Sequence, residues 1–224
     1  VEREPVSATA TRDGKLLLVA NHLPSGRADA DVVAAVVSVV DPHAGRVVKA
    51  LRLPNGSGQL QQIQASPDGN YAVVAHVLAR HQTPTSQIDR GWMNTNAITI
   101  IDTAKLTVVN TVLLDGPFNG AASPWGVAWS RDGRKLVVTH AGAHEASVIE
   151  FPARVKKLAA SDAKAEVPDD LAFLSGLRQT VRLREHDRGP RAAAVAGTTI
   201  YTANYFSDSL SAIEMAAVGR HPES

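Results

Sequence analysis

Two histidines four residues apart, followed at once by a glutamate, stand in the stretch LVVTHAGAHEASVIE at residues 136–150. On a helix that spacing puts His140 and His144 on one face, and with Glu145 it would read as a metal site of the zinc-protease kind. The flanks decide otherwise. LVVTH and ASVIE are strand-sized and rich in β-branched residues, and AGAH between them has the length of a connecting turn. His140 then ends one strand, His144 and Glu145 sit in the adjoining turn, and the helical motif is excluded.

The elements that hold these residues recur along the chain. TRDGKLLLVAN (11–21), SPDGNYAVVAH (66–76) and SRDGRKLVVTH (130–140) are one pattern: a hydroxyl residue, any residue, Asp-Gly, then an alternating strand. The Asp-Gly pairs are 55 and 64 residues apart, and a further 64 reaches AGTTIYTAN, where Gly197 takes the place of the turn glycine. Asp-Gly supplies the positive φ angles that a tight hairpin between twisted strands requires. Each copy continues into a second strand ending in Asp or Glu (VVSVVD, AITIID, SVIE, LSAIE), and the first three add another (RVVKALRL, LTVVNTVLL, QTVRLR). Before each turn runs a segment rich in small residues (SATAT, QIQAS, GVAWS, RAAAV), as befits strands converging on an axis. Repeats of this size with four strands each are the mark of β-propeller blades. The expected fold is all-β, a propeller domain over 1–224 with about four four-stranded antiparallel blades at 7–53, 62–114, 123–184 and 190–215. The fourth repeat shows no clear last strand.

With the strands labelled A to D outward from the axis, the B–C and D–A connections share one face of the disc. Those loops (21–34, 54–62, 76–96, 115–124, 140–146, 185–190 and 204–208) hold 72 of 224 residues yet contain six of the eight histidines. They are His22, His76, His81, His140, His144 and His186; chance placement gives about two or three. Positions 21, 76, 140 and 204 are equivalent in the repeat and read Asn, His, His, Asn, a partial ring. Neutral imidazoles from His76 and His140, with His144 and Glu145 or Asp208 as further donors, could ligate copper, zinc or haem iron. Alternatively, Asn and His at strand ends bond to neighbouring backbone and terminate the strand, which is the favoured reading for the two asparagines. His43, on the opposite face, reads as a solvated turn residue.

Two insertions interrupt the repeat. RHQTPTSQIDRGWMNTN, 80–96, gathers Arg90, Trp92 and Asn94 on the histidine-rich face. With His22 and Asn204 they form the expected ligand- or partner-binding set, because loops on a rigid scaffold are where function is commonly placed. The competing reading folds this loop on itself with Trp92 tucked beneath. The other insertion, around 153–176, reads as two short helices near the rim of the opposite side, Pro168 with Asp169 and Asp170 opening one, in a structural or docking role. Trp125 and Trp129, four apart on one strand, are expected to pack on the same side between blades.

Composition removes several function classes. The 23 basic and 22 acidic residues give a net charge of +1 with no basic stripe, so nucleic acid is not an expected partner. No apolar run approaches the roughly 18 residues of a membrane span. With no cysteine there is no thiolate metal site, no cysteine nucleophile and no covalently attached haem in this chain. The opening VEREPV has neither initiator methionine nor signal peptide and reads as a trimmed product or a piece of something longer.

The SPDG and IID cadence resembles the YVTN-type β-propellers. More closely, VANHLPSGRAD, RGWMNTNAITIID, SPWGVAWSRDG, THAGAHEASVIE and ANYFSDSLSAIE are similar to the propeller portion of periplasmic proteins fused to a cytochrome c peroxidase-like, MauG-like di-haem domain. The resemblance runs from about residue 3 to 221. It implies a periplasmic protein beside redox chemistry, a haem-containing domain or partner, and a larger, seven-bladed ring of which these blades would be part. The Cys-x-x-Cys-His of the haem domain is absent, and four blades leave open edges that invite self-association. The function expected first is a non-catalytic binding and docking module. The alternative is a copper- or zinc-dependent redox or lactonase-like enzyme using the histidine-rich face, with His140 and Glu145 as its acid and base.

Overall fold

A computed structural model of the chain describes residues 1–80 and 93–218. The hydroxyl-x-Asp-Gly motif forms its turns through side chains. The Thr11, Ser66 and Ser130 hydroxyls donate to Asp13, Asp68 and Asp132 at 2.7, 2.5 and 2.6 Å. The same carboxylates accept the N–H of Lys15, Asn70 and Arg134, and the glycines between stand at φ of +68°, +72° and +70°. The hydroxyl and amide hydrogen bonds hold the Asp13 and Asp132 carboxyls below the usual range.

Four antiparallel sheets follow one another as blades of a partial β-propeller. Blade 1 is β1 (Pro5–Ala10), β2 (Leu17–Asn21), β3 (Val36–Asp41) and β4 (Arg46–Arg52). In blade 2 the innermost strand is split into β5 (Ser57–Gly58) and β6 (Ile63–Ala65), followed by β7 (Tyr71–Ala79), β8 (Asn94–Asp102) and β9 (Thr107–Leu113). Blade 3 is β10 (Pro124–Trp129), β11 (Lys135–His140), β12 (Glu145–Glu150) and β13 (Arg178–Arg182). Blade 4 has β14 (Pro190–Ala196), β15 (Thr199–Asn204) and β16 (Ser209–Glu214), with no fourth strand among the described residues.

Strand register aligns the blades residue by residue. Leu18, Ala20, Val37 and Val39 of blade 1 correspond to Val73, Ala75, Ile98 and Ile100 of blade 2. The same positions in blade 3 are Val137, Thr139, Ala146 and Val148. In blades 1 to 3 this face is buried, its apolar residues clustering with those of the next blade. Blade 4 repeats it with Tyr201, Ala203, Leu210 and Ala212, and there it is exposed: Tyr201 by 44% and Leu210 by 77%.

One expectation fails for a local reason. The register of β10 shifts between Pro124 and Val127, a bulge that adds a residue and reverses the alternation. Trp129 therefore enters the core between blades 2 and 3, edge-on to Phe151 at 4.5 Å. Trp125 instead lies against Arg191 of blade 4, with the guanidinium carbon 4.2 Å from the ring centre. The two tryptophans serve different interfaces.

The insertion after β12 also differs from expectation. It holds one α-helix, α1 (Phe151–Ala160), and a single 3-10 turn at Val167–Asp169 in place of the second helix expected at Pro168. Phe151, Leu158, Val167, Phe173 and Leu174 join the core of blades 2 and 3, so the segment is a wedge along the outside of β9 and its role is structural. Arg80, at the far end of β7, reaches it by donating to the Pro168 carbonyl at 3.0 Å and to Asp169 at 2.6 Å. Arg154 of α1 is fully buried, lies 4.6 Å from the Phe151 ring centre and has no hydrogen-bonding partner for its guanidinium among the described residues; burial pulls its pKa down to about 9. Among the described residues no helix is long and apolar enough to cross a membrane.

Candidate ligand and partner face

The four strand-end positions are equivalent, as the repeat predicted, and their side chains share one task. Each bonds to a hydroxyl in strand C of its own blade: Asn21 to Ser38 at 3.0 Å, His76 to Thr99 at 2.8 Å, His140 to Ser147 at 2.7 Å and Asn204 to Ser211 at 2.8 Å. A neutral imidazole here does what an amide does in blades 1 and 4. All four residues are buried. Burial lowers the His76 pKa to about 4, and burial with the nearby Arg178 charge lowers that of His140 to about 3.

This arrangement does not gather the expected metal set. Nδ1 of His76 donates to the Val77 carbonyl at 3.0 Å, so Nε2 of the neutral ring accepts from Thr99, and both nitrogens are engaged inside blade 2. Glu145 lies 3.7 Å from Arg182 across blade 3. No group of three or more His, Asp and Glu side chains placed to share a metal occurs among the described residues. The register that makes positions 76 and 140 equivalent also turns both rings onto their own strand C. Nδ1 of His140 is different: it makes no well-aligned hydrogen bond among the described residues, the Ala121 backbone lies close enough to favour its protonated form, and it borders a cavity of about 10 Å³ lined also by Asn119, Ala121, Glu145, Ser147 and Arg178.

His144 is drawn into another cluster. Its backbone stands at φ +57°, its Nδ1 accepts the Gly189 N–H at 3.1 Å, and its ring meets Phe206 edge-on at 6.4 Å. Around it, the Arg191 guanidinium lies over the rings of Trp125 and Tyr205, 4.2 and 3.7 Å from their centres, with Phe206 at 5.5 Å. Tyr205 and Phe206 are 62% and 56% exposed. The chain places them through backbone hydrogen bonds from Tyr205 to Gly189 and from Phe206 to Arg188. Gly189, at φ +70°, leaves the space that a Cβ would take at 2.3 Å from the Phe206 ring.

The other candidates spread around the same face. His22 donates from Nδ1 to the Leu60 carbonyl at 2.9 Å and ties blade 1 to the innermost segment of blade 2. Asn94 is exposed and opens β8, paired with Ala79. Arg90, Trp92 and His81 lie outside the described residues. Sequence reasoning missed the cation–aromatic cluster and two further residues. Phe118 is 99% exposed in the loop between blades 2 and 3. Asp115 holds that loop by accepting from the Asn96 N–H, the Asn96 amide and the Ala121 N–H at 2.6, 2.9 and 2.6 Å. The available signal was aromatic residues in turns, in GPFNG and ANYFSDS, where strand propensity gives them no reason to be.

No protein-family model matches the chain. It is 29% identical over 185 residues to hydrazine synthase subunit beta of Kuenenia stuttgartiensis, covering 80% of this chain and 47% of that protein. A chain of the solved hydrazine synthase from Kuenenia stuttgartiensis superposes with a TM-score of 0.80 at 26% identity, over 95% of this chain and 59% of the other. The chain thus spans about half the length of these relatives. A protein assigned as a 6-phosphogluconolactonase from Bacteroides uniformis superposes at 0.57 with 13% identity, a likeness of fold alone.

Proposed function

We propose that this chain is the propeller part of a subunit in a multi-subunit redox enzyme, and that it works by docking rather than by catalysis. The observation that carries the docking role is the trio of exposed aromatics, Phe118, Tyr205 and Phe206, on the face that also holds the histidine-rich loops. Aromatic side chains around an arginine are enriched at the centres of protein interfaces. Similarity to hydrazine synthase subunit beta supports the assembly. A haem-containing partner and a periplasmic location are the finer parts of this reading. Native mass spectrometry and visible spectra of the full-length protein, purified gently from its own cells, test it. The expected result is a hetero-complex carrying haem on another chain, weakened by Phe118→Asp; a single chain with no partner at any salt concentration overturns it.

A second reading, a copper or zinc ion beside His140, rests on the Nδ1 of that buried ring, which makes no well-aligned hydrogen bond among the described residues and shares a small cavity with Glu145. Titration of the chelated protein with each metal tests it. Binding lost in His140→Asn supports the site, and absence of binding removes it.

A further inference from the structure

The innermost strands share a device that the docking reading does not use. In blades 1, 3 and 4 a bulge follows the proline opposite the strand-end Asn or His: Pro5 faces Asn21, Pro124 faces His140 and Pro190 faces Asn204. In blade 2, Gln61 and Gln62 both hydrogen-bond to Ala75, the same two-against-one pairing. The extra residues are Val6, Gln61, Trp125 and Arg191, at the ends of the strands that converge on the axis. Bulges re-aim side chains and recur beside functional sites.

At the blade 4 position this places a guanidinium over aromatic rings. Its central carbon lies over the rings of both Trp125 and Tyr205. Among the described residues its buried Nε has no hydrogen-bond partner, and no carboxylate lies within ion-pair distance of the guanidinium. Ring stacking fixes the plane of a guanidinium while leaving its edge of N–H donors for a planar anion. Exposed Phe206, 5.5 Å away, adds an apolar wall.

We propose that Arg191 is a carboxylate receptor, which takes a carboxylate bidentately on its N–H edge with an apolar group against Phe206. The proposal rests on the docking face described above and specifies what that face would take: a carboxylate side chain of a partner or a small free carboxylate. Arg191 forms charge-assisted hydrogen bonds to it, and no bond is made or broken.

The full chain is titrated calorimetrically with butyrate, butyramide, and the end-blocked dipeptides Phe-Glu and Phe-Gln. Both carboxylates are expected to bind and both amides to bind at least about tenfold more weakly; Arg191→Lys, which keeps the charge but loses the fork, is expected to cost about tenfold. Binding of the blocked Phe-Glu alone identifies a partner side chain as the source, and equal binding of butyrate identifies a free small carboxylate. Circular dichroism controls folding, and Phe206→Ala is a second variant that weakens the dipeptide more than butyrate. Amides binding as well as acids, titrations indifferent to Arg191→Lys and Phe206→Ala, or no binding at about 20 mM ligand overturns the proposal. Carboxylate binding in a protein that captures no partner would instead remove the docking reading and leave the receptor standing.

Discussion

The interface between blades 2 and 3 and the outer face of blade 4 use the same register positions with opposite outcomes. Ile98 and Ile100 are fully buried against blade 3, whereas their counterparts Leu210 and Ala212 are exposed. A blade is therefore built to be covered on both faces, and its stability depends on its neighbour as much as on its own strands. In a repeat architecture, nearest-neighbour packing supplies a large share of the stability. The apolar face of blade 4 has the composition of an interior surface that is left exposed among the described residues.

The widest gap between the two regions is expected from truncation. Ile98→Ala should destabilise by about 2–5 kcal/mol in urea unfolding, because it leaves a cavity in a close-packed interface. A loss under ~1 kcal/mol would mean the blades pack loosely and the comparison has no force.

The strand-end histidines sharpen it next. Folded pKa values of about 4 for His76 and about 3 for His140 lie below the ordinary value of 6.5. The unfolded chain therefore binds more protons between these limits, and stability that is fully present above pH 6.5 is lost as pH falls toward 4 and 3. Each histidine should contribute about 3 kcal/mol of that loss by pH 4. His76→Asn with His140→Asn, which copies blades 1 and 4, should flatten unfolding free energy against pH across this window. An unchanged slope would place the acid sensitivity elsewhere.

Glycine gives the next test. Gly126 of blade 3 is buried, and a Cβ there would stand 2.7 Å from the Arg191 carbonyl and 2.9 Å from Thr139. Its counterpart Ala192 faces solvent. Gly126→Ala should cost about 1–3 kcal/mol through overpacking, while Ala192→Val is tolerated. The smallest effect is expected for Leu210→Ala, within about 0.5 kcal/mol in the isolated chain. A larger loss that grows with protein concentration would show that the face is covered in solution by another copy.

Much of the frame was legible because it is local. The hydroxyl-x-Asp-Gly turns and the alternation of VVSVVD, AITIID and SVIE depend on neighbours in sequence, and so did the equivalence of Asn21, His76, His140 and Asn204. What those four residues do was only half readable. Their partners Ser38, Thr99, Ser147 and Ser211 lie 7 to 23 residues away, and only the register shows that they meet the rings and amides. Trp125 was misplaced because one extra residue reverses the face without leaving any mark in composition. Nothing local marks Arg191, since the placing of its guanidinium over Trp125 is decided by the packing of a segment distant in sequence.

The bulge has one consequence for how such a molecule can change. Along most of a strand, a substitution that improves surface chemistry is constrained by the alternation that feeds the core. Val6, Gln61, Trp125 and Arg191 stand outside that bargain: four chemically unrelated side chains occupy one structural address, while the residues two steps further on, Ala8, Ile63, Val127 and Ala193, all remain apolar. The address behaves as an exchangeable socket at the rim of the axis, where recognition can be rewritten blade by blade while the scaffold beneath keeps its pattern.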